Sequence, residues 1–363
     1  MAIQEPEIPL LSKRQINSIL KDAVKAAKAV NLVYVSNPDT GILRVKKGET
    51  FEYLHDGKPV DDEETLKRIK SLVIPPAWDN VWICALENGH LQATGIDLKR
   101  RKQYRYHPLW NVLRNQTKFY RLKDFGKALP QMRLHIEKDL SLPGLPLDKV
   151  LATVVSLMQR TNIRVGNGFY EKLYGSYGLT TLKDKHVQFK GDEIRFTFKG
   201  KKGVSHNIPI KSRRLANIVK RCRDIPGKEL FQYVNENGET KVIDSGLVND
   251  YIKKISGSDF SAKDFRTWSG TVHALIAFLQ TEPCETQAEV KKKIVAALDT
   301  VSQHLGNTRT VCKKYYVHPI VISLYENKSL EKYKSELDAI EVDDNKADLS
   351  SHEKILMKIL DSV

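Results

Sequence analysis

The chain has 363 residues, 41% of them hydrophobic, and 59 Lys+Arg against 44 Asp+Glu, a net charge of +15. That is enough for two domains, or one large one plus an appendage, and favours a polyanionic partner, nucleic acid before an anionic membrane surface. No stretch approaches the roughly 20 apolar residues of a membrane span, Met1–Glu7 lacks the basic-then-apolar order of a secretory signal, and Cys84, Cys222, Cys284 and Cys312 form no C-x-x-C pair, so a reduced, cytosolic protein without disulfides or a zinc knuckle is expected.

Residues 10–31 carry lysines and alanines at helical spacing. Short β-like runs follow: Leu32–Val35, Leu43–Val45, Phe51–Leu54, Val81–Cys84 and His90–Ala93. Turn residues such as Asn37-Pro38-Asp39 and His55-Asp56-Gly57 separate them, and one helix is predicted near Glu63–Ser71. Lys99 to Lys127 holds ten basic residues and one acidic, an electrostatic footprint. The pattern then changes to longer helical periods. The expected fold class is α+β: an N-terminal β-rich domain over 1–115, a larger, mainly helical domain over 116–325, and an acidic helical tail over 326–363. The tail, with eight acidic and three basic residues from Glu336 to Val363, reads as solvated.

Within the second domain Asp148 can cap a helix with apolar positions Leu151, Val154, Val155 and Met158. Val187–Phe189, Ile194–Phe198 and Val204–Ile208, separated by glycine turns, predict a three-stranded meander. Ser261 with Asp264 starts a helix striped by Phe265, Trp268, Val272, Leu275 and Leu279. A further helix carries Val290, Ile294, Leu298, Val301 and Leu305 and stops at Gly306. Beyond it, Tyr315 and Tyr316 sit among Arg309, Lys313 and Lys314, before Pro319.

A phenol is a poor nucleophile while protonated, and neighbouring cations both favour the phenolate and attract phosphate. Metal-free cleavage of a phosphodiester needs a nucleophile, fixed cations for the non-bridging oxygens, and an acid for the departing sugar oxygen. The chain places suitable groups at structural punctuation points: Arg164 past a helix end, Lys201 at a hairpin tip, Arg266 in the first turns of the capped helix, and Asn307 after the glycine stop. Each also has a plain structural reading, as surface ion pair, hairpin lysine, snorkelling arginine and helix cap. Spacing alone does not choose between them. The histidines show no ligand spacing for a metal.

An ordered set of motifs does choose. Ile74-Pro75-Pro76-Ala77-Trp78, Gly89–Gly95 and Arg101–Pro108 lie in the first domain. Arg164-Val165-Gly166-Asn167, Tyr177–Leu182, Phe198–Lys201, Val204-Ser205-His206, Lys263–Trp268, Leu305–Thr308 and Tyr316–Pro319 lie in the second. Together they resemble the type IB DNA topoisomerases, in particular the small bacterial, poxvirus-like enzymes, over roughly residues 30–322.

The resemblance implies that Tyr316 is the nucleophile that becomes joined to a 3′ phosphate and that Arg164 and Arg266 hold the scissile phosphate. It makes Lys201 the general acid, gives Asn307 a hydrogen bond to a non-bridging oxygen, and makes Lys263 a supporting cation. Gln103, Tyr104 and Tyr106 match DNA contacts of the first domain. Tyr315 precedes the nucleophile where small residues are common; the family spacing of nine from Asn307 favours Tyr316. Arg309 replaces a frequent proline, and Tyr174-Gly175 an asparagine-containing segment.

The implied activity is relaxation of supercoiled double-stranded DNA, without ATP or another cofactor, by a monomer closing as a C-shaped clamp, cytoplasmic at the bacterial nucleoid. No Walker motif and no acidic metal cluster is visible. Tyrosine recombinases share this chemistry but would need exchange segments and paired sites. A DNA-binding protein with a decayed site is the competitor from another class.

Overall fold

The computed structural model describes residues 15, 18–19, 22–35, 40–48, 50–98, 102–282, 284–338 and 347–362. The Asn37-Pro38-Asp39 turn, Arg101 and much of the expected helix over 10–31 lie outside the described residues. The chain forms two compact units, 1–120 and 121–363.

In the first unit Asp22 caps helix α1 (Ala23–Lys28) by accepting the Val24 and Lys25 N–H groups. The unit is then built from β1 (Gly41–Lys47), β2 (Thr50–His55), β3 (Lys58–Pro59), α2 (Glu63–Ser71), β4 (Asp79–Cys84), β5 (Leu91–Ile96) and β6 (Lys102–Tyr106). The strands form one antiparallel sheet in the order β3-β2-β1-β4-β5-β6. Asp56 and Gly57, both at positive φ, make the tight turn between β2 and β3. Strand alternation sends Ile42, Val81, Ile83 and Ala93 to one face, where Ile69 of α2 joins them. Trp82, Cys84 and Leu91 pack with Val35.

The run Leu32–Val35 is not a strand, contrary to the sequence expectation. It makes only an isolated bridge from Val33 to Gly89. Leu32 is drawn into a cluster with Ala27 and Trp110, and Val35 into the one with Trp82, so the two ends of the run serve different cores.

Helix α3 (Pro108–Leu140) contains the division between the units. Its second half gives Phe125, Leu129, Met132 and Ile136 to the core of the second unit, at helical spacing. Helix α4 (Leu147–Thr161) carries Leu151, Val154, Val155 and Met158 inward as expected. Its N-cap is Pro146, not Asp148. Asp148 lies in the first turn, where a carboxylate suits the helix dipole, and pairs with Lys254 at 2.8 Å.

Next come α5 (Gly168–Tyr174) and an antiparallel three-stranded sheet of β7 (Val187–Lys190), β8 (Glu193–Lys199) and β9 (Ser205–Lys211). After α6 (Arg213–Arg223), β10 (Gln232–Val234), β11 (Thr240–Val242) and α7 (Ser245–Ser256), two long helices carry most of the remaining core: α8 (Ala262–Leu279) and α9 (Gln287–Leu305). Ser261 and Asp264 do start α8, with the Ser261 N–H donating to Asp264 at 2.8 Å. Gly306, at φ +56°, ends α9. The chain closes with α10 (Arg309–Tyr315), α11 (Pro319–Glu326), α12 (Glu331–Asp338) and α13 (Ser351–Asp361).

The expectation of a solvated tail fails at α13. Ile355, Leu356 and Ile359 are fully buried in the main core. Glu353, only 7% exposed, accepts two hydrogen bonds from the Arg133 guanidinium at 2.8 and 3.1 Å and one from Trp268 Nε1 at 2.8 Å. The acidic count concealed an amphipathic helix whose carboxylate is matched inside the protein.

Candidate active site

Tyr316, Arg164, Lys201, Arg266 and Asn307 all lie in the second unit. Arg266 is placed by the start of α8. It is 5% exposed, and its guanidinium donates to the Asn162 carbonyl and, at 2.7 Å, to the Leu305 carbonyl. Asn162 caps the C-terminus of α4, and Leu305 is the last residue of α9. Two helix C-termini, each the negative end of its dipole, therefore seat this cation. Arg164, two residues beyond the α4 cap, donates to the Gly306 carbonyl at 3.0 Å and to Asn307 Oδ1 at 2.5 Å. The Asn307 N–H is bonded to the Ser302 carbonyl at 3.0 Å, so the glycine stop of α9 fixes the side chain that Arg164 grips.

Tyr316 caps the C-terminus of α10, its N–H bonded to the Cys312 carbonyl at 2.9 Å. Its ring centroid lies 5.2 Å from the guanidinium carbon of Arg266. Helix α8 provides the seat: Gly270, four residues beyond Arg266, lies on the same side of the helix, and Thr271 follows it. A Cβ on Gly270 would lie 2.7 Å from the Tyr316 carbonyl oxygen, so only glycine allows this approach. Thr271 Oγ1 lies 3.2 Å from the same carbonyl and accepts the His318 N–H at 3.1 Å.

The electrostatics are those of a site short of negative charge. Burial, and then the charge of Arg266, push Arg164 down to about 10. Burial likewise lowers Arg266, against the favourable influence of Tyr316. Arg164 stays protonated at neutral pH. Burial raises the thiol of Cys312, beneath these arginines, to about 11. Two donors are buried without an acceptor, Arg266 Nε and Asn307 Nδ2. Such groups are rare and costly unless something else satisfies them.

A cavity of about 770 Å³ opens over this cluster. Arg164, Arg266, Lys201, Lys202, Lys263 and Tyr316 line it, and no Asp or Glu lines it among the described residues. Lys201 follows Gly200 in the turn between β8 and β9, and Lys263 is exposed at the first turn of α8. The cavity includes Tyr316 but not Tyr315 among its lining residues. Arg309, in place of a frequent proline, is the first residue of α10 and pairs with Asp299 at 3.1 Å. No group of three or more His, Cys, Asp or Glu side chains able to hold a metal occurs among the described residues.

Gln103, Tyr104 and Tyr106 belong to the first unit, on β6. Gln103 Nε2 donates to Asp97 at 2.9 Å. Tyr104 is half exposed and stacks on Tyr106, with centroids 6.0 Å apart and planes 10° from parallel. Sequence reasoning missed Gly270 and Thr271; for Gly270 the spacing of four from Arg266 was the available signal. It also missed Tyr170 and Tyr174, which stack on each other along the cavity wall. Among the described residues no helix is long and apolar enough to cross a membrane.

Comparison with known proteins gives a concordant result. The family model described as the eukaryotic DNA topoisomerase I catalytic core matches residues 101–347, and that of the bacterial DNA topoisomerase IB N-terminal domain matches residues 50–97. The chain is 33% identical to the DNA topoisomerase 1B of Acanthamoeba polyphaga mimivirus over 295 residues, 79% of this chain and 88% of that protein. It is 26% identical to the DNA topoisomerase 1B of Vaccinia virus (strain Copenhagen) and to the DNA topoisomerase I of Monkeypox virus, in each case over 78% of this chain and 90% of the relative. With most of its length matched in this way, the chain belongs to the type IB DNA topoisomerases and is an enzyme of that family.

Proposed function

We propose that this enzyme relaxes supercoiled double-stranded DNA by a reversible transesterification at Tyr316. The observation that carries the reading is the buried cation cluster with two orphaned donors and, among the described residues, no carboxylate lining its cavity. A tetrahedral oxyanion supplies what such a cluster lacks. Arg164, Arg266 and the Asn307 amide would hold the non-bridging oxygens, where arginine's fixed fork suits phosphate. Tyr316 loses its phenolic proton to water, and the phenolate oxygen attacks phosphorus and forms a 3′-phosphotyrosyl bond. The bond from phosphorus to the 5′ oxygen breaks, and Lys201 gives that oxygen its proton. The cut end swivels; the 5′ hydroxyl then attacks the phosphotyrosine and returns its proton to Lys201, and the tyrosine leaves as phenolate and regains its proton from water. Phosphodiester energy is conserved in the tyrosyl ester, so neither ATP nor a metal ion enters the balance.

In the same reading Lys263 adds positive charge at the cavity mouth, and Gln103, Tyr104 and Tyr106 contact duplex DNA from the first unit. A clamp of both units around the duplex belongs to this proposal as well. The test is to mix the protein with supercoiled plasmid in EDTA without ATP and quench with detergent. Relaxed plasmid and a protein–DNA adduct through a 3′ phosphate are expected. No adduct, or relaxation only on adding ATP or a divalent metal, would overturn the proposal.

Lys201→Ala is expected to slow single-turnover cleavage by about 10²–10⁴-fold, the range for loss of a general acid. A substrate with sulfur in place of the bridging 5′ oxygen leaves without needing that proton and should recover most of the rate. An equal deficit on both substrates would remove Lys201 from the acid role.

A further inference from the structure

His206 is half-buried on β9, directly across the sheet from Phe198, on whose ring it stacks with centroids 4.9 Å apart and planes 22° from parallel. From there the imidazole meets two loops at once. A Cβ on Gly200 would lie 2.6 Å from His206 Nε2, and a Cβ on Gly306 would lie 2.7 Å from His206 Cε1. Gly200 is the root of the Lys201 turn, where its N–H bonds the Val204 carbonyl at 2.7 Å. Gly306 is the root of the Asn307 loop, and its carbonyl accepts from Arg164. One flat ring thus fills the gap between the backbone of the lysine turn and that of the phosphate-holding loop, and both contacts require glycine.

Burial, and then the charges of Arg164 and Arg266, lower the pKa of this imidazole, so it is neutral near pH 7. It adds no charge to the cluster, and its contribution is shape. The Lys201 turn needs such a support. Lys201 and its neighbours are exposed, and Lys202 is held in the left-handed region at φ +61°. A lysine on an unsupported turn would sample many positions, whereas proton delivery to one leaving oxygen requires a single one.

We propose that His206 is a positioning residue that braces the Lys201 turn against the Arg164–Asn307 loop and so aims the proton donor at the leaving oxygen. This rests on the transesterification reading above.

The test uses single-turnover cleavage by the full chain. His206→Ala should lower the rate by about 10- to 100-fold, as for a catalytic group displaced by about an ångström, with DNA affinity unchanged. On the 5′-sulfur substrate the deficit should largely vanish, and in a Lys201→Ala background His206→Ala should add little, because the lost function is already absent. Gly200→Ala, which pushes a methyl group into the ring from the other side, should give the same pattern and provides a second variant if His206→Ala does not fold. A deficit that persists undiminished on the sulfur substrate, full additivity with Lys201→Ala, or an unchanged rate would each overturn the proposal. Failure of the underlying reading is distinguishable, since wild-type protein would then form no adduct on either substrate.

Discussion

Tyr316→Phe is expected to abolish both the covalent DNA adduct and plasmid relaxation while leaving DNA binding intact. The expected loss is large, on the order of 10⁴- to 10⁶-fold, as for other covalent nucleophiles whose partners act as a unit. The structure explains why the variant is clean. The aromatic ring beside Arg266 is retained, and Tyr316 is tied to α8 through its main-chain carbonyl near Gly270 and Thr271, which the substitution does not touch. Only the phenolic oxygen goes. Tyr315→Phe is the control and should relax plasmid as the wild type does, because Tyr315 does not line the cavity. A radiolabelled adduct that survives in Tyr316→Phe and disappears in Tyr315→Phe would reverse the assignment.

The second large effect falls on residues that do not line the cavity. Glu353→Ala should destabilise the protein by about 3–5 kcal/mol, because it takes the acceptor from the Trp268 indole N–H and the charged partner from Arg133, which keeps its bond to the Asp348 carbonyl. For a unit of this size that corresponds to a fall in melting temperature of roughly 6–20 °C. Burial alone would raise the Glu353 pKa, but the hydrogen bonds and charge of Arg133, with help from Trp268, outweigh it and hold the carboxyl below its usual 4.5. A group depressed in this way contributes fully above the unfolded value and loses its contribution as pH falls through the folded value. The gap between wild type and variant should therefore be widest at neutral pH and narrow below about pH 4.5. Coincident thermal melts at pH 7 would show that the pair contributes nothing.

These two cases also mark what could be read from the sequence. Helices α8 and α9 were legible because their apolar residues recur at helical spacing and their ends carry strong signals, Ser261 with Asp264 and Gly306. The clustering of Arg164, Arg266, Asn307 and Tyr316 was accessible only through resemblance, since it depends on contacts across more than a hundred residues, such as Arg164 with Asn307. The burial of α13 was missed for a related reason. Ile355, Leu356, Ile359 and Leu360 form a helical stripe, but the wider window from Glu336 to Val363 is acidic, and the partner that makes Glu353 tolerable is Arg133, 220 positions earlier. Net charge over a window does not reveal whether one carboxylate in it has found an arginine. Leu32–Val35 failed in the opposite sense: a local β pattern gave way to two competing clusters.

The acceptors that hold Arg266 and Arg164 include the main-chain oxygens of Asn162, Leu305 and Gly306. These anchors depend on where helices stop and not on which side chains occupy the stops. A main-chain anchor of this kind survives any exchange that preserves the backbone of the stop, such as glycine for Asn162 at φ +56°, while Gly306 is tied to glycine by its own φ and by the His206 ring. Shifting a stop by even one residue, through an insertion or deletion next to Asn162 or Gly306, should cost this enzyme more than most exchanges of the residues themselves.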